Sequence, residues 1–456
     1  MNPDSDIRFH HGRLRIGGLD AAALAATVGT PAYVYSAADI RARYREIETV
    51  FAPLNPLICY ALKASGNIHL CRMLGGLGAG MDVVSGGELE RAWLADVPMQ
   101  RITFAGVGKT EHEIAAALDG RHSPLKNVGG LGTRNPIGRG TVGRFNIESS
   151  GEAERIERIA TDLGVVASGS VRINPDVDAF THAYTTTGKH ENKFGIDIPS
   201  AEALFERFKH STSLRLQGLH VHLGSPIATP RPFVEGITEV LKVRERLERS
   251  GHAIREINIG GGFGIDYGRG KPSTLAEFAV AIVPLLRPLA DAGVRILLEP
   301  GRPIVGNAGM LLTRVQYVKH GPTKRFVVCD SGVHHLIRPA LYGAYHFIWP
   351  VECGDAFVPT GLGDQPHEGL VKCDVVGPVC ESSDFLAKDR QMPEVPPGAV
   401  LAVFSAGAYG MSMASTYNDH PKPIEVMVDG DSATIIRPRQ TIGELIASEL
   451  GEPRRV

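Results

Sequence analysis

The sequence predicts a (β/α)8 barrel joined to an all-β domain. Three observations carry this. Between about residues 55 and 300, short apolar runs alternate eight times with a loop and then, except after the last run, a segment of helical period. After about residue 306 strand-like runs follow one another with little helix between them. The chain of 456 residues is also longer than one hydrophobic core usually supports. The expected division is a barrel over residues 40–305 and a β-sandwich or β-barrel domain from residues 1–39 with 306–456.

The eight strand candidates are, in order, LICYAL, GMDVVS, RITFAG, RFNIES, SVRINP, LQGLHVHLGS, REINIGGG and RILLEP. Each but the last precedes a helix candidate. After INIGGGFG, the segment STLAEFAVAIVPLLRPLADAG opens on a capping box, Thr274 with Glu277, and spaces Leu275, Phe278, Ile282 and Leu286 along one helical face. Pro284 is expected to kink it. An open doubly wound sheet is the competing topology, and it would place one site at a switch point instead of chemistry at many strand ends. In the second domain, VQYVKH, KRFVVCD, LVKCDVVG, AVLAVFS and the hairpin-like PIEVMVDGDSATIIRPRQ read as strands, and RLRIGG near the N-terminus is expected to join them. Residues 121–143, RHSPLKNVGGLGTRNPIGRGTVG, are Gly-rich and basic without periodicity. They lie between the third helix and the fourth strand, so we expect a surface excursion on the barrel's N-terminal face and no active-site lid.

Composition narrows the class of function. Net charge is −2, which provides no field for nucleic acid or an anionic membrane, and neither is expected as a partner. Six cysteines lie scattered without CxxC spacing, as in a protein of a reducing compartment. The N-terminal segment lacks the apolar core of a secretory signal, and no uncharged run approaches a bilayer span. A cytoplasmic protein is expected.

In a barrel, chemistry belongs at the C-terminal ends of the strands. Lys63 ends the first strand. It is either a surface lysine or a desolvated nucleophilic amine, and the latter implies a carbonyl substrate or pyridoxal phosphate. Gly260, Gly261 and Gly262 end the seventh strand, where backbone N–H groups can close on a phosphate. Glu299, Pro300, Gly301 and Arg302 end the eighth. Glu299 could pair with a protonated pyridine nitrogen and Arg302 could grip a carboxylate, or the two could form a simple terminal ion pair. His220 and His222 share a face of the sixth strand by alternation. An HxH pair fits a metal-dependent hydrolase, yet no matching His and Asp set marks the other strand ends. His222 could instead stack on a flat cofactor, with Ser225 on its phosphate. In GPVCESSDFLAKDR, Cys380 beside Glu381 is a candidate proton donor, against the ordinary reading of a buried thiol. Arg338, Tyr342 and Tyr409 add polar groups among small residues.

Taken together, YALKASGN, DVVSGGELERA, NPDVDAFTHAYTTTGKHENKFGI, GLHVHLGS, GGGFG, EPGR, IRPALYGAYH, GPVCESSDFLAKDR and AGAYGMSMASTYN resemble the diaminopimelate decarboxylases, of the alanine-racemase-like fold, in the same order from about residue 30 to 440. The resemblance implies pyridoxal 5′-phosphate as cofactor and conversion of meso-2,6-diaminopimelate to L-lysine and carbon dioxide, the last step of lysine biosynthesis. It implies that Lys63 tethers the cofactor, His222 stacks on its ring, Ser225 and Gly260–Gly262 bind its phosphate, and Glu299 meets its pyridine nitrogen. Pro300, Gly301 and Arg302 complete that strand end. Arg302, Arg338 and Tyr342 would hold the substrate's distal carboxylate, Glu381 its distal amino group, and Tyr409 both cofactor and substrate. Cys380 would return a proton to the carbanion, and Cys380 with Glu381 would reach into a partner's site in a homodimer. No metal is implied. Glu after the Cys, where ornithine and arginine decarboxylases typically carry Asp, favours a substrate with a second amino-acid head. A decarboxylase of another amino acid, including a D-amino acid, would share most of these motifs. The sequence departs from the family pattern in the length of residues 121–143, at Pro226 after GS, at Ser383 after CES, and at His334-His335 before LIRP.

Overall fold

A computed structural model describes residues 5–119, 140–178 and 193–451. Residues 121–139 of the Gly-rich basic segment and 179–192 of the NPDVDAFTHAYTTTGKHENKFGI motif lie outside the described residues. The chain divides into two compact units. One comprises residues 44–264 and 272–301, the other residues 1–43, 265–271 and 302–456.

The first unit is a closed eight-stranded barrel. Its strands are Leu57–Ala61, Gly80–Val83, Ile102–Phe104, Arg144–Ile147, Ala167–Arg172, Leu214–His220, Glu256–Asn258 and Arg295–Leu298. All pair in parallel, and Leu297 and Leu298 register with Leu57 and Ile58 to close the ring. Each falls on one of the predicted runs, so the open doubly wound sheet is excluded. The runs are apolar on both faces because helices cover the outside and packed side chains fill the inside. Helices follow the first seven strands, and the Thr274–Glu277 capping box opens Leu275–Asp291 as expected. That helix continues through Pro284 and Pro288.

The bottom of the barrel is closed by charge. Arg144 opens the fourth strand, and its Nε lies 2.9 Å from Glu256 Oε2 at the start of the seventh. Arg144 Nη1 also donates to Thr103 Oγ1, and Arg295 of the eighth strand stands 3.6 Å from Glu256. Arg144 and Glu256 are both buried. Removing one partner leaves a charge with neither water nor a counter-ion. Glu256→Ala should therefore lose about 3–5 kcal/mol of stability, read as a lower urea midpoint at unchanged slope.

The second unit is mostly β. Its main sheet runs Phe385–Met392, Val371–Val376, Arg325–Cys329, Gly309–His320, Ala32–Ser36, Ile424–Asp429 and Ser432–Arg437. Val400–Val403 also pairs with Gly309–His320 and carries Ile348–Pro350. RLRIGG supplies a strand to this unit, outside the main sheet: Leu14 N–H donates to Val351 O, and Arg13–Ile16 pairs with Ile7–His10 and Leu19–Asp20 in a three-stranded sheet of its own. Both partners are sequence neighbours, so the local hairpin forms at little loop-closure cost. The N-terminal strand that does enter the large sheet is Ala32–Ser36, fully buried between Gly309–His320 and Ile424–Asp429.

Candidate active site

In the barrel unit, polar groups gather at the C-terminal strand ends. Lys63 lies two residues beyond the first strand, in the short turn Leu62–Ala64. Just before the turn, Ala61 N–H donates to Pro300 O beyond the neighbouring eighth strand. A Cβ on Gly301 would come within 2.9 Å of the Ala64 side chain, so this close approach needs glycine. Lys63 Nζ stands 2.7 Å from Oδ2 of Asp82, whose side chain is 0% exposed. A buried carboxylate from the second strand thus holds this amine. Burial and the Glu299 charge push the Asp82 carboxyl above its usual range, against the pull of Lys63.

Glu299 follows the eighth strand and is 4% exposed. Its Oε1 accepts from Asn146 Nδ2 at 2.9 Å and from Asn258 Nδ2 at 2.6 Å, and its Oε2 lies 3.3 Å from His220 Nε2. Burial alone would raise this carboxyl. The charge and hydrogen bond of His220, the charge of Lys63 and the Asn258 amide outweigh burial and hold it well below the usual carboxylate range. The result is a fixed buried anion at the centre of the barrel end.

His222 is placed differently from His220. Its Nδ1 accepts from Gly261 N–H at 3.2 Å, so a proton on this ring resides on Nε2. Burial, then the charges of Arg172 and Lys63, lower its pKa well below 6.5 and leave a neutral flat ring. Arg172 is held in turn by Glu148 at 2.7 Å and donates to His222 O. The two imidazoles of the HxH pair thus serve separate partners. Among the described residues no group of three His, Cys, Asp or Glu side chains is placed to hold a metal ion.

The glycine run leaves no room for side chains. A Cβ on Gly261 would meet Glu299 O at 2.1 Å, one on Gly262 would meet Gly224 O at 2.2 Å, and Gly260 and Gly262 have φ of +70° and +102°. Gly260 N–H donates to Asn258 Oδ1 and Gly261 N–H to His222, so these two amides brace the site internally. Phe263 then packs against Phe233 and Phe278, ring centroids 4.8 and 5.2 Å away, and pins the run to the helices outside. Ser225 lies on the neighbouring loop and is half-buried.

In the β unit, a separate cluster forms around two arginines. Arg302 Nη1 donates to Tyr267 Oη at 2.6 Å, and its guanidinium lies 4.7 Å from the Tyr409 ring centre. Arg338 lies 4.8 Å from the Tyr267 ring centre and bonds His346. Tyr342 ends the short helix Arg338–Tyr342. Cys380 and Glu381 are exposed elsewhere on this unit. The Cys380 N–H donates to Asn418 Oδ1 at 2.9 Å, and Glu381 accepts from Ser383 Oγ at 3.2 Å. Sequence reasoning singled out the strand ends but missed Asp82, Asn146, Arg172, Asn258, Tyr267 and His346.

A strand-end lysine, a buried anion and a side-chain-free glycine run define a barrel of the pyridoxal-dependent class. The family described as pyridoxal-dependent decarboxylase, pyridoxal binding domain, matches residues 37–306. Diaminopimelate decarboxylase of Aquifex aeolicus is 40% identical over 445 residues, 97% of each chain, and that of Pseudomonas aeruginosa is 41% identical over 432 residues, 95% of each. The solved Helicobacter pylori diaminopimelate decarboxylase, complexed with L-lysine, is 37% identical with TM-score 0.82, covering 94% of this chain and 98% of that one. The solved diaminopimelate decarboxylase of M. jannaschii reaches TM-score 0.86 at 33% identity over 98% of both chains. This chain belongs to the diaminopimelate decarboxylase family. It is a carboxy-lyase acting on an amino acid, and its cofactor is pyridoxal 5′-phosphate. The donor set fits that group: an amine, a buried carboxylate, a neutral imidazole and a cradle that any Cβ would fill. Among the described residues no helix is long and apolar enough to cross a membrane.

Proposed function

We propose that the chain decarboxylates meso-2,6-diaminopimelate to L-lysine and carbon dioxide, the closing step of lysine biosynthesis, as a cytoplasmic homodimer. The observation that carries the reading is the barrel-end pairing of Lys63 with Asp82 beside the buried anion Glu299. Lys63 would hold the cofactor through Nζ, Glu299 its pyridine nitrogen, and His222 the face of its ring. Ser225 and Gly260–Gly262 would seat its phosphate, Gly260 and Gly261 through their lack of side chains, since their amides already serve Asn258 and His222. Pro300, Gly301, Arg302 and Tyr409 would also take part in binding the cofactor. Bound pyridoxal phosphate supplies an electron-withdrawing ring.

The chain's own residues do the rest. Glu299, kept ionised by His220 and two asparagine amides, fixes a negative charge where a protonated nitrogen is needed. Arg302, Arg338 and Tyr342 bind the carboxylate of the substrate's far end, and Glu381 binds its ammonium group. Tyr409 orients the substrate. Cys380 Sγ delivers the proton that replaces the departing carboxyl. Exposed Cys380 and Glu381 suit residues that serve the partner's site. The test is stoichiometric release of lysine and carbon dioxide from meso-diaminopimelate by the protein supplied with pyridoxal phosphate. A protein that binds the cofactor and leaves this substrate untouched would overturn the reading.

A further inference from the structure

Arg338 is a buried cation, 6% exposed, and among the described residues no carboxylate forms an ion pair with it. A buried charge ordinarily takes a counter-ion. Here the neighbours are the neutral groups His346 and Tyr267 and a second cation, Arg302, so none supplies negative charge. Arg338 Nη1 lies 2.7 Å from His346 Nε2. His346 Nδ1 lies 2.9 Å from Phe404 O, which can only accept, so the ring's hydrogen sits on Nδ1. A guanidinium can only donate, so Nε2 presents its lone pair and the imidazole is uncharged. His346 is 0% exposed, and a second guanidinium, Arg390, donates to its carbonyl at 2.8 Å. Burial first, then the Arg338 charge, push its pKa down to about 3, in keeping with this hydrogen-bond assignment. The other support under Arg338 is the face of Tyr267, which attracts a cation without neutralising it.

We infer that His346 is a positioning residue for substrate recognition: it orients Arg338 through a neutral acceptor and so preserves the guanidinium's full charge for the substrate's distal carboxylate. The inference rests on the proposed assignment of Arg338 to that carboxylate. It predicts what chemistry position 346 tolerates. Gln keeps a neutral acceptor. Leu removes the acceptor. Glu would form its own ion pair with Arg338 and cancel the charge on offer.

The test compares two ligands of the holoenzyme by calorimetric titration. L-lysine retains the amino-acid head at the far end, whereas cadaverine carries the same amine without the carboxylate. In His346→Glu, the Kd for L-lysine should rise roughly tenfold or more, while that for cadaverine stays within about twofold. His346→Gln should bind both about as the unsubstituted enzyme does. His346→Leu should weaken L-lysine selectively, and it carries the test should the Glu variant not fold. A general loss of structure would weaken both ligands together, and that outcome overturns the inference, as does a Glu variant that binds L-lysine normally. Should the unsubstituted holoenzyme bind L-lysine no better than cadaverine, the assignment of Arg338 itself falls and the inference with it.

Discussion

Replacing Lys63 by alanine should lower kcat/KM for decarboxylation by about 10³-fold or more, roughly 4 kcal/mol of transition-state stabilisation. The cofactor should remain bound only non-covalently and leave on dialysis. The structure adds a second, separable effect. Asp82 is wholly buried and its Oδ2 faces Lys63 at 2.7 Å, while its Oδ1 has no hydrogen-bond partner among the described residues. Losing the amine strands this carboxylate, at a cost of roughly 1–3 kcal/mol. Lys63→Ala should therefore melt earlier than the unsubstituted protein. The double variant Lys63→Ala/Asp82→Asn should recover most of that stability and none of the activity. Thermal melts and carbon dioxide release on the same preparations separate the tether from the ion pair. An active Lys63→Ala protein would remove Lys63 from the chemistry.

The second large effect is at Glu299. Glu299→Gln is nearly isosteric, and its amide oxygen can still accept from Asn146 and Asn258. It loses the charge and the oxygen that faces His220. We expect kcat to fall about 10²–10³-fold with the cofactor still bound. Stability gives an independent readout. The folded carboxyl lies well below the usual range, so its contribution is fully present above the unfolded pKa of about 4.3 and is lost as pH falls through the folded value. The gap in urea midpoint between Glu299→Gln and the unsubstituted protein should be constant near neutrality and narrow below about pH 4. A gap that widened on acidification would contradict the ionised, well-held carboxylate.

The barrel strands were legible because parallel strands buried on both faces read as unbroken apolar runs. Phe385–Met392 and Ala32–Ser36 were not. FLAKDRQM carries three successive charges, Lys388, Asp389 and the buried Arg390, and follows directly on the CES loop, so it reads as loop. AYVYS has strand chemistry, but its partners lie some hundreds of residues away, and no local turn announces them. In the site, Lys63, His222 and Glu299 stood out because they end apolar runs. Asp82, Asn146 and Asn258 sit inside such runs, in GMDVVS, RFNIES and REINIGGG. The signal that could have found them is their isolation: a polar side chain inside a buried strand must have a partner, and three of them in strands of one closed barrel imply one shared centre. His346 gives no comparable signal, since its use depends on Phe404 and Arg338 together.

The position of Ala32–Ser36 also bears on how the protein comes into being. It leaves the ribosome early, yet one sheet neighbour is Gly309–His320 and the other is Ile424–Asp429. At about 5–20 residues per second, the second neighbour emerges on the order of tens of seconds later. The whole barrel unit is synthesised in that interval and can close on its own contacts. Tyr33, Val34 and Tyr35, all inaccessible in the finished sheet, thus begin life as an open strand edge, the nascent chain's period of greatest exposure to aggregation and to chaperones.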